Sequence, residues 1–408
     1  MNKFISVWSA WFFATMFYAY QYILRVLPNI GMPNIINDFN INVTQIGLFS
    51  GIYYIGYTLM HIPIGLLIDR FSIKKVIPIC VLLTSVGLLP LLYSSLFLNA
   101  VLGRLLLGIA SSASVLGIFK VVKTGFGEAK FTSLVGMSVT IGLLGAMYGG
   151  RPIDYLVSVY GWKTVVNAFV IIGVAFSILL YFVLPKTSGE DKQYHFSIRE
   201  MWQDVKSIFC NSRVVVLSFI AGLMVGPLEG FADAWGTLFF ESFYGFDRGH
   251  ASILPSIIFL GMCFGSALVG YITGKTKSHI QVVFISNIIM ILSFLLVFSG
   301  KCNLYILYFL MFAIGLLSAY QIPILGKVRD YTDSRLADIA SAACNMIVMI
   351  FGTVFHTLIG IFTEQFGGIS KGLIVIPAAL ILALILLSIL MINKFFIRNI
   401  TVPSNVTS

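Results

Sequence analysis

The feature that most constrains this chain is a series of apolar runs, each long enough to cross a bilayer, in a six–break–six pattern. They fall at about 4–27, 45–68, 76–96, 98–120, 131–154 and 163–184, then at about 213–240, 250–273, 280–299, 303–326, 338–362 and 371–393. A helix needs about 20 mainly apolar residues to span a hydrocarbon core. The expected fold is therefore all-α, with twelve transmembrane helices in two six-helix halves. Composition agrees: 58% of the 408 residues are AVILMFWYC, 10% are charged and mean hydropathy is +0.96. Soluble domains average about 45–50% apolar and about 25% charged residues. A soluble enzyme, a secreted disulfide scaffold and a disordered tail protein are all excluded.

The break carries Lys186, Glu190, Asp191, Lys192, Arg199, Glu200, Asp204 and Lys206. It reads as a cytosolic linker, 185–212, with a short amphipathic helix near Ile198–Phe209. It divides a half at 1–184 from a half at 213–393, which is followed by a tail at 394–408. The other loops are short, too small for an extramembrane active site. Counting from an inside N-terminus, 19 of the 26 Lys and Arg residues fall in inner segments. Basic residues are retained on the cytoplasmic side, so both termini are expected there, in a bacterial inner membrane. The net charge of +10 is thus a topology signal, and no nucleic-acid partner follows from it. The first run, Phe4 to Leu27, lacks a small-residue cleavage site and is expected to stay as a span. The five cysteines, at 80, 210, 263, 302 and 344, have no metal or redox spacing. No metal or cofactor is expected.

Half-length echoes run through the chain. Gly65-Leu-Leu-Ile-Asp69-Arg70 closes the second span, and Gly270-Tyr-Ile-Thr-Gly274-Lys275 closes the eighth. Gly108 and Lys120 in the fourth span recur as Gly315 and Lys327 in the tenth. Two parallel six-helix repeats with a path between them is a transporter architecture.

The segment Gly65-Leu66-Leu67-Ile68-Asp69-Arg70-Phe71-Ser72-Ile73-Lys74-Lys75 resembles the GxLaDrxGrkxxl signature of the major facilitator superfamily, with Ser72 at the second glycine. Twelve spans, a central loop and a half-length offset extend the resemblance to the whole chain. Gly65, Asp69, Arg70, Lys74 and Lys75 then form a conformational latch, because opposite charges meet where two helix ends converge. Arg104-Leu-Leu-Leu-Gly108 resembles the RxxxG element of the same superfamily. An arginine within a span is a functional candidate; the alternative is a side chain snorkelling to the outer interface, as Lys120 would to the inner one. Gly142, Gly145, Gly149 and Gly150 are similar to the antiporter motif gxxxGPxxGG, but Ala146 replaces its proline, which argues against an antiporter.

In the first span Tyr18, Gln21, Tyr22 and Arg25 share one helix face. So polar a face needs a wet cavity or polar partners. In the seventh, Gly222, Gly226 and Gly230 permit close packing, and Pro227 is expected to break the helix. Beside that break stand Glu229 and Asp233, again on one face, followed by Trp235. Carboxylates within spans mark proton or ion pathways, unless they pair structurally with Arg25 or Arg104. Gln321 polarises the tenth span, Asn345 and His356 the eleventh, and His61 the second. No HExxH, GxSxG or phosphate-loop sequence supports a hydrolase or ATPase.

The runs YQYILRVLPNI and GPLEGFADAWG are similar to the proteobacterial intraphagosomal amino-acid transporter family. That resemblance implies carboxylate binding at Arg25 and amine binding at Glu229 or Asp233. The expected function is a monomeric secondary transporter for a small polar solute, an amino acid or short peptide, taken up with a proton as coupling ion. Substrate contacts are expected from Tyr18, Gln21, Tyr22, Arg25, Arg104, Trp235, Gln321, Asn345 and His356, and proton coupling from Glu229 and Asp233. One alternative keeps the fold but carries an organic anion on Arg25 and Arg104; another is a membrane sensor that binds without net flux. Orientation is directly testable. Cysteines placed in 186–212 or in 395–408 should resist an impermeant thiol reagent in intact cells, and external labelling of either segment would overturn the assignment.

Overall fold

The computed structural model describes residues 3–186, 198–276, 278–333 and 336–400. Glu190, Asp191 and Lys192 of the linker, Lys277, Arg335 and tail residues 401–408 lie outside the described residues. Every described element is a helix. Eleven are long and apolar enough to cross a membrane: Val43–Phe71, Ile73–Tyr93, Phe97–Phe126, Ser133–Tyr160, Trp162–Val183, Ser212–Tyr244, Arg248–Thr276, His279–Phe298, Leu304–Asp330, Ile339–Phe366 and Ile369–Ile392. The first helix, Lys3–Phe39, is the twelfth. It has length to spare, but its Trp, Tyr and Gln residues dilute its apolar character. These helices are called spans one to twelve in chain order. The amphipathic segment forms a helix at Ile198–Cys210, which packs on spans seven and eleven.

Spans one to six pack largely among themselves, as do seven to twelve. The half-length echo has a packing counterpart. A Cβ on Gly108 would lie 2.0 Å from the Tyr53 carbonyl oxygen, and one on Gly315 would lie 2.0 Å from that of Ile258. A Cβ on Gly56 would lie 2.4 Å from the Leu105 carbonyl oxygen, and one on Gly261 would lie 2.2 Å from that of Phe312. Span two therefore meets span four as span eight meets span ten, backbone against backbone. Only glycine allows that approach, the usual means of association where lipid offers no hydrophobic drive.

Contacts between the two sets of six concentrate at the end remote from the linker, the distal end. The largest runs along spans two and eleven. There the Glu364 carboxylate of span eleven accepts from Asn42 Nδ2 at 3.0 Å and from the Thr44 backbone N–H at 3.2 Å, at the start of span two. On the opposite side Asp154, near the end of span five, pairs with Arg248 at the start of span eight, at 2.6 Å. Arg248 also donates to the Ile30 carbonyl of span one. In both places an acid at the distal end of one span clasps the first turn of a span from the other set.

The glycine contacts generate a stability prediction. Gly108→Leu and Gly315→Leu should each lower thermal stability in detergent by at least the about 1–3 kcal/mol typical of overpacking. Exposed Gly136, which has nothing within 4 Å of an added Cβ, is the control, and Gly136→Ala should not lower stability. Equal melting temperatures in all three variants would remove the tight-packing account.

Candidate functional site

Pro28 sets the local geometry of span one. It lies inside the helix, so the Leu24 carbonyl four residues back has no N–H to accept. Arg104 of span four fills the gap, donating from Nη1 to Leu24 O at 2.8 Å and from Nη2 to Arg25 O at 2.6 Å. Its guanidinium also lies over the Tyr53 ring, 4.9 Å from the centroid. At 4% exposure, Arg104 is committed to backbone, which corrects the reading of a chain snorkelling to the interface. It fixes the turn of span one that carries Arg25.

Arg25 points across to span seven. Its Nη2 lies 2.8 Å from Glu229 Oε2, and its Nε lies 2.9 Å from Asp233 Oδ2. The Nε contact is one of charge rather than an aligned hydrogen bond. Arg25 is 5% exposed and both acids are 2% exposed. Glu229 and Asp233 are brought to it by a π-helical stretch, Gly226–Trp235. Pro227 occupies the first turn of that stretch, and the irregular backbone falls just before it, near Met224–Val225. The expected break at Pro227 is thus a widened helix turn, a form frequent at functional sites. The glycine stripe before it receives Phe351 and Phe355 of span eleven.

Tyrosines close around this charge centre. The Tyr22 ring lies 4.4 Å from the Arg25 guanidinium carbon and edge-on to Tyr18. The Tyr18 and Tyr22 hydroxyls are 3.4 Å apart, and Gln21 accepts from the Tyr53 hydroxyl at 2.7 Å. Tyr54 Oη lies 2.6 Å from Glu229 Oε2 and makes a shorter contact with Asp233 Oδ2. His356 packs on the Tyr54 ring with centroids 5.5 Å apart. Tyr57 stacks on His61 one turn further along. Tyr53, Tyr54 and Tyr57 were not among the expected site residues. Their period along span two, continued at His61, is the signal that would have found them.

Other expected residues lie elsewhere. Trp235 is fully buried at the end of the π-helical stretch, its indole N–H without a partner. Gln321 and Asn345 flank a separate small cleft with Ala221 and Cys344. Asn345 precedes His356 by three helical turns, about 16 Å toward the linker end. In the latch segment Asp69 pairs with Lys120 of span four at 2.7 Å. Lys120 is therefore the partner of Asp69, which corrects its reading as a snorkelling side chain. Arg70 lies against Phe71, and Lys74 against Tyr181. Gly65 makes only ordinary contact with Leu116, and Lys75 follows in the first turn of span three.

The Pro28–Arg104 arrangement yields a double-variant test. Arg104→Gln leaves two buried carbonyls short of donors, each worth about 1–3 kcal/mol. Pro28→Ala returns an N–H to Leu24 O. The loss of stability from Arg104→Gln should therefore be smaller in the Pro28→Ala background than alone. Strict additivity would show that Arg104 acts on something other than the orphaned carbonyl.

The Major Facilitator Superfamily family profile matches residues 10–347. The chain is 24% identical to the uncharacterized transporter YybO of Bacillus subtilis (strain 168) over 307 residues, 69% of each chain. It is 23% identical to the hexuronate transporter of the same organism over 270 residues, 63% of each. Among solved structures it is similar to the nucleoside transporter NupG, with a TM-score of 0.71, 19% identity and coverage of 96% of this chain and 98% of that one. A bacterial homolog of the human lysosomal transporter Spinster, in an inward-facing and unoccupied conformation, gives a TM-score of 0.71 at 16% identity, covering 94% and 95%. The helical bundle, the repeated glycine contacts and the profile match agree: this multi-pass membrane protein belongs to the Major Facilitator Superfamily.

Proposed function

We propose that the protein is a proton-linked secondary transporter for a small zwitterion, an amino acid or short peptide, in a bacterial inner membrane. The observation that carries this reading is the buried ion pair between Arg25 of span one and Glu229 and Asp233 of span seven. A solute with a carboxylate and an ammonium can insert into such a pair by exchanging partners. Its carboxylate takes the planar fork of Arg25, and its ammonium takes one of the acids. The other acid carries the coupling proton. Residues 1–184 and 213–393 rock about this centre as two halves, with the chain acting as a monomer. With both termini cytoplasmic, the distal contacts are the outer gate in its shut position, and the Asp69–Lys120 pair braces the inner side. Tyr18, Gln21, Tyr22 and His356 border the exchange site. Trp235 supports it, and Gln321 and Asn345 lie on the approach from the linker end.

The organic-anion alternative calls for Arg25 and Arg104 as a joint positive site. Arg104 already donates from both terminal nitrogens to carbonyls of span one, which favours the zwitterion. The likeness to a hexuronate transporter keeps the anion in the test. Purified protein in proteoliposomes is assayed with a panel of labelled amino acids, dipeptides and amine-free acids, by counterflow and by accumulation under an imposed proton gradient. Arg25→Lys should raise the half-saturating concentration at least tenfold, about 1.4 kcal/mol. Glu229→Gln or Asp233→Asn should abolish accumulation while sparing exchange. Preference for amine-free acids would establish the anion reading, and binding without counterflow would establish a sensor. Normal accumulation by both amide variants would end the coupling assignment.

A further inference from the structure

In the charge centre one phenol hydrogen faces two carboxyl groups, both within hydrogen-bond reach. Tyr54 Oη lies within hydrogen-bond reach of Glu229 Oε2, at 2.6 Å, and of Asp233 Oδ2, closer still. A phenol has one hydrogen, while an ionised carboxylate only accepts. Tyr54 can donate fully to one acid; it can accept from the other only where that carboxyl carries a hydrogen, and otherwise divides its single hydrogen between them. No other group supplies a second. Arg25 aligns Nη2 on Asp233 Oδ1 at 3.3 Å and meets Glu229 Oε2 and Asp233 Oδ2 by charge. Arg104 brings a second positive charge nearby but donates to the carbonyls of Leu24 and Arg25. Tyr22 and Tyr53 pack beside the two guanidinium groups. From span eleven, His356 packs beside the Tyr54 ring and bonds to the Glu229 backbone.

The phenol is also held in place. A Cβ on Gly352 would lie 2.7 Å from the Tyr54 ring, so span eleven closes on one face of it. With the ring packed between His356 and Gly352, the hydroxyl has little room to turn away from the acids.

We propose that Glu229, Asp233 and Tyr54 share one excess proton, and that the Tyr54 hydroxyl is the bridge through which it passes between the two carboxyls. In the transfer the first carboxyl O–H breaks as the phenol oxygen accepts that proton. The phenol O–H breaks as its own proton goes to the second carboxylate. Tyrosine is regenerated, and the charge of the trio is unchanged. The proposal deepens the proton-linked reading above and rests on it for its part in transport, where it makes Tyr54 a positioning residue for the coupling proton.

The test is infrared spectroscopy of the full chain in lipid at neutral pH, in H2O and D2O, with no substrate required. The wild type should show the carbonyl stretch of a protonated carboxylic acid, shifted in D2O. Tyr54→Phe, which keeps the ring, should move that stretch to higher frequency by removing its hydrogen-bond partner. Glu229→Gln and Asp233→Asn should each change or abolish it. In proteoliposomes, Tyr54→Phe should slow proton-driven accumulation several-fold while leaving counterflow near wild type. Absence of the band in the wild type, or a band indifferent to all three substitutions, would overturn the proposal, and the wild-type arm stands even if a variant fails to fold. A band that behaves as expected while the amide variants accumulate solute normally would leave the shared proton standing and sink the transport reading. The reverse pattern would do the opposite.

Discussion

A guanidinium without water must be given its counter-charges by the protein, and Arg25 receives its pair from the other set of six helices. Removing ions from water costs several kcal/mol each, and attraction repays this only with good geometry and further hydrogen bonds. Much of the central architecture meets that condition. Pro28 leaves a carbonyl of span one without its N–H, Arg104 donates to that carbonyl, and the π-helical stretch of span seven presents Glu229 and Asp233 together. Phe351 and Phe355 settle on the glycines of span seven, bringing span eleven and His356 up to Tyr54. The bilayer supplies no solvent to mend a missing partner, so one charged contact organises its neighbours.

The twelve helices were legible in the sequence because a membrane imposes a length and a polarity on every crossing. The latch segment and the RxxxG element were legible because their spacing is distinctive. Partners were harder to read. Asp69 with Lys120, and Arg104 with the carbonyl left by Pro28, join residues 51 and 80 positions apart, and no local period encodes either. The stretch after Pro227 was read as a break because proline lacks a donor; the chain instead widens the helix, with Phe355 packed against Gly226 and Gly230. Tyr54 escaped notice for a related reason. In a span rich in tyrosine it resembles an interface aromatic until the other half shows which hydroxyl meets the acids.

The repeat is faithful in packing and unfaithful in charge. A Cβ on Gly108 or on Gly315 would meet a carbonyl oxygen at the same 2.0 Å, so the two sets of helices share a construction. Their ionic fittings differ: Lys120 reaches Asp69 on another span, whereas Lys327 turns to Asp330 on its own helix. The charged centre is likewise unequal, with cations from the first six spans and acids from the last six. A duplicated scaffold conserves what packing demands and leaves the polar groups free to diverge.

The distal clasps and the centre also differ in how they feel the surrounding medium. Glu364 and Asn42 are exposed, and Arg248 keeps a third of its surface open, whereas Arg25 and its acids are dry. Mobile ions screen exposed charges over about 10 Å at 0.1 M salt and scarcely reach buried ones. Ionic strength at the distal face therefore reaches the partly exposed Arg248 without touching the charge centre. A rise in salt there weakens the Arg248 side of one clasp, while the Glu364 hydrogen bonds to Asn42 and Thr44, which join no pair of charges, and the buried Arg25 pair keep their strength.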